Sequence, residues 1–328
     1  MKGVDGGFRV VAAHRLRIAV TVTKKGASSV VGGSNCQRTT NTATQHSLVT
    51  ANYCVVDLSG GPQASSYPLS YLDSAPDLSD DYKTSKMLLR HVPAGTFLMG
   101  SIDNKSDSGG NSSERPAHQV TLCHGFYIAV YETTQAQYSN VMGTCPTCNS
   151  KASQGETRPV EGVSLKTIRG RIAPEDTPEV WTFLGKLRTR TGIEFDLPSE
   201  AQWEYACRVG STGMWCFGDN ELLLDDYAWY SKNSGSATQP VGQKKPNAWG
   251  LYDMHGNAAE QCKDWCDFYS NESAANPVGH RSRIEHSEAK RGGSCGSSAK
   301  GCRAFIRNIP EDLFSRSTTG FRCVAPSM

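Results

Sequence analysis

Short runs of alternating hydrophobic and polar residues predict strands at several points along the chain. The run LLRHVPAGTFLMGS predicts a strand, a turn and a second strand, and HQVTLCHGFYIAVYETT predicts two strands that lead into a helix. These runs are rich in Val, Ile, Tyr and Phe, which favour the pleated backbone. Nearer the N-terminus, RLRIAVTVTKK and ANYCVVDL have the same strand character.

Capping residues predict three helices. The first has Thr134 as its N-cap with Gln137 three residues later, which is a capping box, and it ends at Gly143. The third helix lies in LPSEAQWEYACR, where Ser199 and Gln202 form the same kind of box. Both boxes satisfy backbone N–H groups that the first turn of a helix leaves without partners.

The second predicted helix begins at Thr177-Pro178, because proline suits the first helical position, and it ends at Gly192. Three of its apolar residues share one face: Val180, Leu184 and Leu187. After residue 210 the chain consists of short segments rich in Gly, Asn, Asp and aromatic residues, and no clear helix is predicted there.

Three regions follow from this pattern. Residues 1–60 are predicted to form a small β-rich unit of the sandwich kind. Residues 61–86 have Pro, Gly and Ser clusters without a period and are predicted to be a linker. Residues 87–328 are predicted to form the main domain. Few helices inside much irregular chain place this domain in the α+β class.

Composition and charge narrow the classes of function. The chain has 328 residues and a net charge of +2. It therefore lacks the excess of basic residues that would indicate a nucleic-acid partner. No apolar run is long enough to span a bilayer. His14, Arg15 and Arg17 interrupt the first apolar stretch, so no signal peptide is predicted. The twelve cysteines, in contrast, favour an oxidising compartment and hence an extracellular or cell-surface location.

Eight ordered blocks between about residue 88 and residue 326 resemble the formylglycine-generating enzyme family, also called the sulfatase-modifying factor family. The blocks are PAGTFLMGS, GFYIAVYETTQAQY, RPVEGVS, FDLPSEAQWEYACR, PNAWGLYDMHGNAAE, RGGS, CRAFIR and GFRC. The resemblance implies a variant of the C-type lectin fold with little regular secondary structure. It also implies several possible functions, among which the fold alone does not choose.

The family includes copper-dependent oxidases that convert a sulfatase cysteine to formylglycine, iron-dependent sulfoxide synthases, and non-catalytic variable proteins diversified by retroelements. The oxidases have two cysteines in GGSY-x-C-x4-C, and soft thiolates suit copper. Here six residues separate Cys295 from Cys302 (C-x6-C), and the first cysteine lies too early. If the chain is an oxidase, these two are its catalytic and copper-binding residues. The sulfoxide synthases have an iron-binding domain on the N-terminal side, and residues 1–85 supply no facial triad of histidines.

Another role for Cys302 is implied by the resemblance. Its position before RAFIR matches a family cysteine that forms a disulfide with the cysteine of the EYxC motif, which is Cys207 here. Cys295 is then a lone thiol without a neighbouring His or Lys to activate it. The close pairs Cys262/Cys266 and Cys145/Cys148 are expected to form local disulfides, although CPTC is also compatible with a redox pair or half of a zinc site.

The block LYDMHGNAAE matches the calcium-binding loop of the family. The match implies side-chain ligands from Asp253 and Glu260 and carbonyl ligands from Gly256 and Ala258. Hard oxygen ligands on a tight loop are those that Ca²⁺ prefers. The alternative is that the two carboxylates only cap turns. The family usually has Trp on both sides of the glutamate, whereas this chain has Ala259 and Gln261.

The C-terminal segment 295–319 has the composition of a binding surface, with aromatic and apolar residues among Ser, Asn and Arg. In lectin-like folds this segment lies on an exposed face. The alternative is that half of its apolar residues face the core. The predicted ligand surface consists of Gly296, Ser297, Ser298, Lys300, Phe305, Asn308, Ile309, Phe314, Ser315 and Arg316.

These observations favour a non-catalytic module that binds a protein or a glycan through segment 295–319, with calcium as a structural ion. Membership of the retroelement-diversified variable proteins is a hypothesis, because one sequence cannot show variability. The alternative is the copper oxidase described above. A purely structural accessory domain is a third possibility.

Overall fold

A computed structural model of the protein describes seven stretches of the chain: residues 51–101, 112–146, 154–170, 173–266, 268–279, 288–307 and 318–327. The strand predicted in RLRIAVTVTKK lies outside them. The chain divides into two compact units, Met1–Val49 and Thr50–Met328. All described residues belong to the second unit.

Eleven strands are formed by the described residues: β1 Tyr53–Asp57, β2 Leu69–Leu72, β3 Lys86–Val92, β4 Gly95–Met99, β5 His118–Leu122, β6 Phe126–Ala129, β7 Ala259–Trp265, β8 Ala274–Ala275, β9 Glu288–Arg291, β10 Thr319–Gly320 and β11 Val324–Pro326. The largest sheet is antiparallel and has the order β11-β6-β3-β1-β2. Two three-stranded sheets have the orders β10-β7-β9 and β4-β5-β8.

The folded domain begins earlier than the predicted boundary at residue 87. Strand β1 lies between β2 and β3, and Val56 faces Leu69 on one side and Met87 on the other. Its Val56 side chain is completely buried. Residues 69–72, predicted as linker, are therefore a strand of the main sheet. The pairing is long-range, so local composition did not reveal it.

The strands predicted around residues 87–131 form, but the second predicted pair divides between two sheets. Strand β5 pairs with β4, whereas β6 pairs with β3 and β11. The short connection Cys123–Gly125 therefore carries the chain from one sheet to another. The C-terminal strand β11 returns to β6, which ties the end of the domain to its first half.

Five α-helices occur in the described stretches: α1 Gln135–Met142, α2 Leu165–Arg169, α3 Phe183–Thr191, α4 Glu200–Arg208 and α5 Leu224–Tyr227. Both predicted capping boxes are confirmed. In α1, Gln137 N donates to Thr134 Oγ1 at 3.2 Å and Thr134 N donates to Gln137 Oε1 at 3.0 Å. In α4, Ser199 and Gln202 make the same reciprocal bonds.

Helix α3 begins five residues later than predicted. Its N-cap is Thr182, whose hydroxyl accepts from Gly185 N at 3.2 Å. A Cβ at Gly185 would lie 1.9 Å from the carbonyl oxygen of Glu179, so the preceding chain folds back against the first turn. Val180, assigned to the apolar face, is 74% exposed. The predicted end at Gly192 is confirmed, with φ 71°.

Two main clusters of buried side chains hold these elements together. In the first, the Phe183 ring of α3 stacks on Tyr138 of α1 at 5.3 Å and meets Phe321 edge-on at 5.1 Å. In the second, Trp203 and Ala206 of α4 pack beneath strands β4 to β7. None of the helices in the described ranges is both long and apolar enough to cross a membrane.

Candidate functional site

Residues 292–307, here called the display segment, begin with two glycines that the backbone requires. Gly292 and Gly293 have φ 88° and 76°. A Cβ at Gly293 would lie 2.4 Å from the carbonyl oxygen of Gly301, and one at Gly292 would lie 3.1 Å from the Trp203 ring. Only glycine combines this left-handed backbone with such close approach. The pair therefore turns the chain sharply across α4.

Exposed and buried residues alternate along the next part of the display segment. Gly296, Ser298 and Lys300 are exposed, whereas Ser297 and Ala299 are buried. Ser298 is the N-cap of a 3-10 helix, Ala299–Cys302, and its hydroxyl accepts from Gly301 N at 3.3 Å. Three of the ten residues predicted for the ligand surface therefore face solvent.

Two other predicted surface residues are buried. The hydroxyl of Ser297 accepts from Ser294 N at 2.9 Å, so this side chain holds a turn. Phe305 is 2% exposed and its ring lies under the guanidinium groups of Arg208 and Arg303, at 5.4 and 4.8 Å. Their assignment to the ligand surface was wrong. The other five lie outside the described residues: Asn308, Ile309, Phe314, Ser315 and Arg316.

A set of buried ion pairs fixes the display segment to the core. This arginine network consists of Glu114, Glu200, Glu204, Arg208, Arg291, Arg303 and Arg307. Arg307 binds Glu200 through two bonds of 2.7 Å, and Arg303 binds Glu114 at 3.2 Å. Each partner is almost fully buried, where such pairs depend on complete hydrogen bonding.

Glu204 of α4 is the centre of the arginine network. It accepts from Arg208 Nε and Gly100 N, at 2.7 and 2.8 Å, and from Arg291. Burial opposes ionisation of Glu204, but Arg291 and Arg208 outweigh it and lower its pKa. The carboxylate thus stays charged between two guanidinium groups. Sequence reasoning missed the network, although the block RGGS contains Arg291 and the block CRAFIR contains Arg303 and Arg307.

The predicted disulfide between Cys207 and Cys302 is absent from the structure, where both are buried, reduced thiols. The Cys207 thiol donates to the Met254 carbonyl at 3.7 Å. Cys262 is also reduced, so the expected bridge to Cys266 is not formed, and neither is one from Cys145. Cys123 is the disulfide-bonded cysteine of the described stretches.

The thiols of Cys295 and Cys302 are both inside the protein, and Cys295 acts electrostatically on Cys302. They are 1% and 0% exposed. Burial, followed by Glu161 and Glu132, raises the pKa of Cys295 to about 11. Burial and the neighbouring Cys295 raise the pKa of Cys302 as well. Both are therefore protonated thiols at neutral pH, whereas nucleophilic attack and metal binding use the thiolate.

A buried histidine that the sequence left unassigned connects three cysteine-bearing segments: the end of α4, the chain at Cys216 and the 3-10 helix that ends at Cys302. His255 Nε2 accepts from Cys216 N at 3.1 Å, so its Nδ1–H donates to the Cys302 carbonyl at 2.8 Å. Its Nε2 also lies 3.8 Å from the Cys207 sulfur. Burial lowers the pKa of His255 to about 4, so the ring is neutral and holds these segments by hydrogen bonds.

The predicted calcium loop is present, but Glu260 does not fit the role of a calcium ligand. Its two oxygens accept from the Arg322 guanidinium at 2.6 Å each, and Oε2 also accepts from Trp203 Nε1 at 2.7 Å. A cation beside Arg322 would meet repulsion. Within the described stretches, no three His, Cys, Asp or Glu side chains are grouped to hold a metal.

Asp253 has a different environment from Glu260. Its Oδ2 accepts from Gly242 N at 2.7 Å, and its buried Oδ1 has no hydrogen-bond partner. Nearby Glu132, which sequence reasoning missed, accepts from Ala258 N at 2.8 Å. Burial and neighbouring carboxylates raise the pKa of Glu132, and burial raises that of Asp253 to about 6. Asp253 therefore has one uncommitted oxygen, whereas Glu260 is committed to Arg322 and does not complete the predicted pair of side-chain ligands.

A family model described as the sulfatase-modifying factor enzyme 1-like domain matches residues 75–326. The chain belongs to this family. The match begins within the stretch predicted as linker and covers the display segment, the arginine network and the calcium-type loop. It confirms the family suggested by the eight sequence blocks.

Similar sequences are found among members with different names. A formylglycine-generating enzyme of Mus musculus is 29% identical over 282 residues, which cover 71% of this chain and 74% of the mouse protein. A protein of Paenibacillus barcinonensis named chaperone protein LppX is 32% identical over 184 residues, covering 44% of this chain and 64% of the relative. Sequence similarity to this chain thus extends to a protein with an enzyme name and to one with a chaperone name.

Solved structures support the fold. Treponema denticola variable protein 1 superposes with a TM-score of 0.60 and 26% identity, covering 74% of this chain and 95% of that one. PvdO from Pseudomonas aeruginosa has a TM-score of 0.57 and 26% identity, with coverage of 73% and 94%. Together with few helices and short mixed sheets, these neighbours confirm the predicted α+β, C-type-lectin-like fold of this sulfatase-modifying factor domain.

Proposed function

We propose that this sulfatase-modifying factor domain is a non-catalytic module that binds a protein or a glycan through its display segment. The alternation of exposed Gly296, Ser298 and Lys300 with buried neighbours carries the proposal. The exposed residues present small and polar groups, and the arginine network holds the backbone that carries them. Rigid support for variable contacts is a common design of binding surfaces.

The buried thiols favour this function over the oxidase. Cys295 and Cys302 have almost no contact with solvent, and their raised pKa values keep them protonated. An oxidase must bring a sulfatase cysteine to a reactive thiolate or to copper. Here a substrate sulfur would have to enter the core before it met either atom.

The alternative function is a copper-dependent formylglycine-generating oxidase that uses Cys295 and Cys302. Two observations favour it: the likeness to the mouse enzyme, and two buried thiols, of a type that suits Cu(I), that influence each other electrostatically. The chain's own contribution would be to hold these sulfurs at the base of the display segment, with His255 fixing the Cys302 carbonyl. Loss of both thiol protons would have to precede metal binding.

The likeness to a variable protein extends the proposal to diversification of the display segment. A near-copy of the coding sequence for residues 292–323 beside a reverse transcriptase gene would support it. A genome that lacks both would remove diversification from the proposal. Ligand binding by a fixed segment would remain.

The binding function is tested by screening the purified chain on protein and glycan arrays and re-measuring each ligand with the double variant Gly296→Tyr/Lys300→Glu. A Cβ at Gly296 has only Ser294 Oγ near it, at 3.9 Å, so the tyrosine fits outside the fold. We expect binding to fall about tenfold or more, because shape and charge at the surface both change.

Lys166→Glu is the matched control, since Lys166 is an exposed lysine of α2 outside the display segment. It should leave affinity unchanged. Ligands that bind the double variant as well as the wild type would contradict the proposed surface. Turnover of a sulfatase-derived cysteine peptide in the presence of copper and oxygen would instead support the oxidase.

A further inference from the structure

A cavity of about 170 Å³ lies between the N-terminus of α4 and the loop 268–279. Its lining includes four aromatic rings, those of His118, Trp265, Phe268 and Tyr269, and the carboxylate of Asp264. An apolar cavity of about 150 Å³ is large enough for benzene. This one can therefore take a compact group of similar size. It lies outside the alternating part of the display segment.

Asp264 is a buried carboxylate without an ion pair among the described residues. It is 3% exposed. Its two oxygens accept only backbone hydrogen bonds, from Glu200 N at 3.0 Å and Gly279 N at 2.8 Å. Burial and the like charge of Glu200 raise the pKa of Asp264 to about 7. A buried negative charge normally has a cationic partner, so this carboxylate lacks one.

The other charged groups on the cavity wall are already paired. Arg307 directs two donors to Glu200 and one to the Ser113 carbonyl at 2.7 Å, and Arg291 lies 3.0 Å from the same glutamate. No donor of Arg307 described here is directed to Asp264. An anionic ligand would therefore meet a wall whose cations are saturated and whose remaining charge is negative.

Besides the carboxylate, a cation site of this kind needs aromatic faces, and the rings of the cavity wall supply them. Tyr269 lies 4.7 Å from the His118 ring. The Arg307 guanidinium lies 4.0 Å from the Tyr269 centroid and covers that face, but two hydrogen bonds pair its charge with Glu200, so the charge of Asp264 is the one left over on the described wall. Phe268 is 58% exposed and stands at the cavity mouth. Aromatic faces attract cations that are too large or too poorly hydrated to need hydrogen bonds.

We propose that this cavity binds a quaternary or methylated ammonium group, with Asp264 as its counter-charge and the rings of Trp265, Phe268 and Tyr269 as its walls. The group is the head of a small molecule such as choline or of a choline-type lipid. A metal ion fits less well, because among the described lining residues Asp264 is the one acidic side chain without an ion pair. The site is separate from Gly296, Ser298 and Lys300, so it can be present whether or not the display segment binds a ligand.

The test measures binding of choline at pH 8 by calorimetry, with quenching of tryptophan fluorescence as a second signal, since Trp265 lines the cavity. The neutral comparison compound is 3,3-dimethylbutan-1-ol, which has the shape of choline without its charge. We expect choline to bind about tenfold more tightly than this alcohol, because only the cation pairs with Asp264. Equal binding of the two compounds, or binding of neither, would overturn the proposal.

Phe268→Ala is the principal variant, because an exposed ring at the mouth can be removed without opening the core. It should weaken choline binding by a factor of about three to ten. Leu222→Ala is the matched control, a residue that is 85% exposed and lies elsewhere, and it should have no effect. If Phe268→Ala binds choline as tightly as the wild type, the cavity is not the site.

Vesicles of phosphatidylcholine distinguish the two sources of the ammonium group. Co-sedimentation that is lost in Phe268→Ala assigns the lipid head. Choline binding without co-sedimentation assigns a free small molecule. Co-sedimentation that persists in Phe268→Ala, in a chain that does not bind choline, contradicts the proposal.

Discussion

At the scale of single residues, several ionisable side chains are buried in this protein, and their charge states differ. Glu204 stays ionised with almost no solvent contact because two arginines surround it. His255, equally buried, stays neutral and works as a hydrogen-bonding connector. Asp264 is intermediate, since it has backbone donors but makes no ion pair in the part of the chain that the structure describes. The partners of each group, more than its depth, decide its state.

Glu204→Gln is expected to be strongly destabilising. The amide keeps the shape but leaves Arg291 and Arg208 buried without their shared counter-charge, which typically costs about 3–5 kcal/mol. Urea unfolding measures the change. The control is Asp226→Asn, which breaks the exposed pair with Lys245 and should hardly move the midpoint. Equal midpoints for the two variants would show that the network contributes little.

The sequence reveals little about such residues, because their partners are distant in the chain. Glu200 and Arg307 are separated by 107 positions. Nothing in either neighbourhood indicates the other. The cysteine pairing had a different origin: the family resemblance implied a disulfide between Cys207 and Cys302, whereas the structure has both as free thiols whose residues contact His255.

At the scale of elements, prediction was best where the signal and the structure are both local. The capping boxes of α1 and α4 were correct because each involves residues three positions apart. The start of α3 was wrong because Thr177-Pro178 and Thr182 are both acceptable helix starts, and the contact of Gly185 with Glu179 selects the second. That contact is formed only in the folded chain.

Ser199→Ala tests the contribution of one cap to α4, the helix that holds the display segment. Loss of the bond from Gln202 N to the serine hydroxyl should lower the free energy of unfolding by about 1 kcal/mol. Thermal or urea unfolding gives the value. Ser79→Ala is the matched control, since Ser79 precedes a 3-10 helix without making a side-chain capping bond. A smaller loss at Ser199 than at Ser79 would contradict the prediction.

At the scale of the whole molecule, long-range strand pairing defines the domain. The fold class followed from the family resemblance, but the domain boundary did not follow from composition. Residues that look like a linker contribute β2, and β1 becomes an interior strand of the main sheet. A segment rich in Ser, Pro and Gly can therefore be part of a core when a neighbouring strand supplies its hydrogen bonds.

Truncation tests this boundary. A chain of residues 51–328 should unfold cooperatively, whereas one of residues 87–328 should not, because β3 would lose the β1 strand that pairs with its residues 86–90. Denaturation followed by circular dichroism separates the two. In the full chain, Val56→Asp should reproduce the defect and Ser70→Asp, on the exposed side of β2, should not. Cooperative unfolding of 87–328 would return the boundary to its predicted place.

The alternation at residues 296–300 also has a consequence for inheritance. Positions 297 and 299 are buried, while the residues at 296, 298 and 300 are exposed, with Ser298 also capping the 3-10 helix. Codons for positions 296 and 300 can therefore change with little penalty to folding, position 298 favours residues that can cap, and the buried positions between them are more constrained. In natural relatives of this chain, we expect substitutions to be concentrated at the exposed positions of this alternation. Such relatives would differ in the ligands that they recognise and keep the same fold.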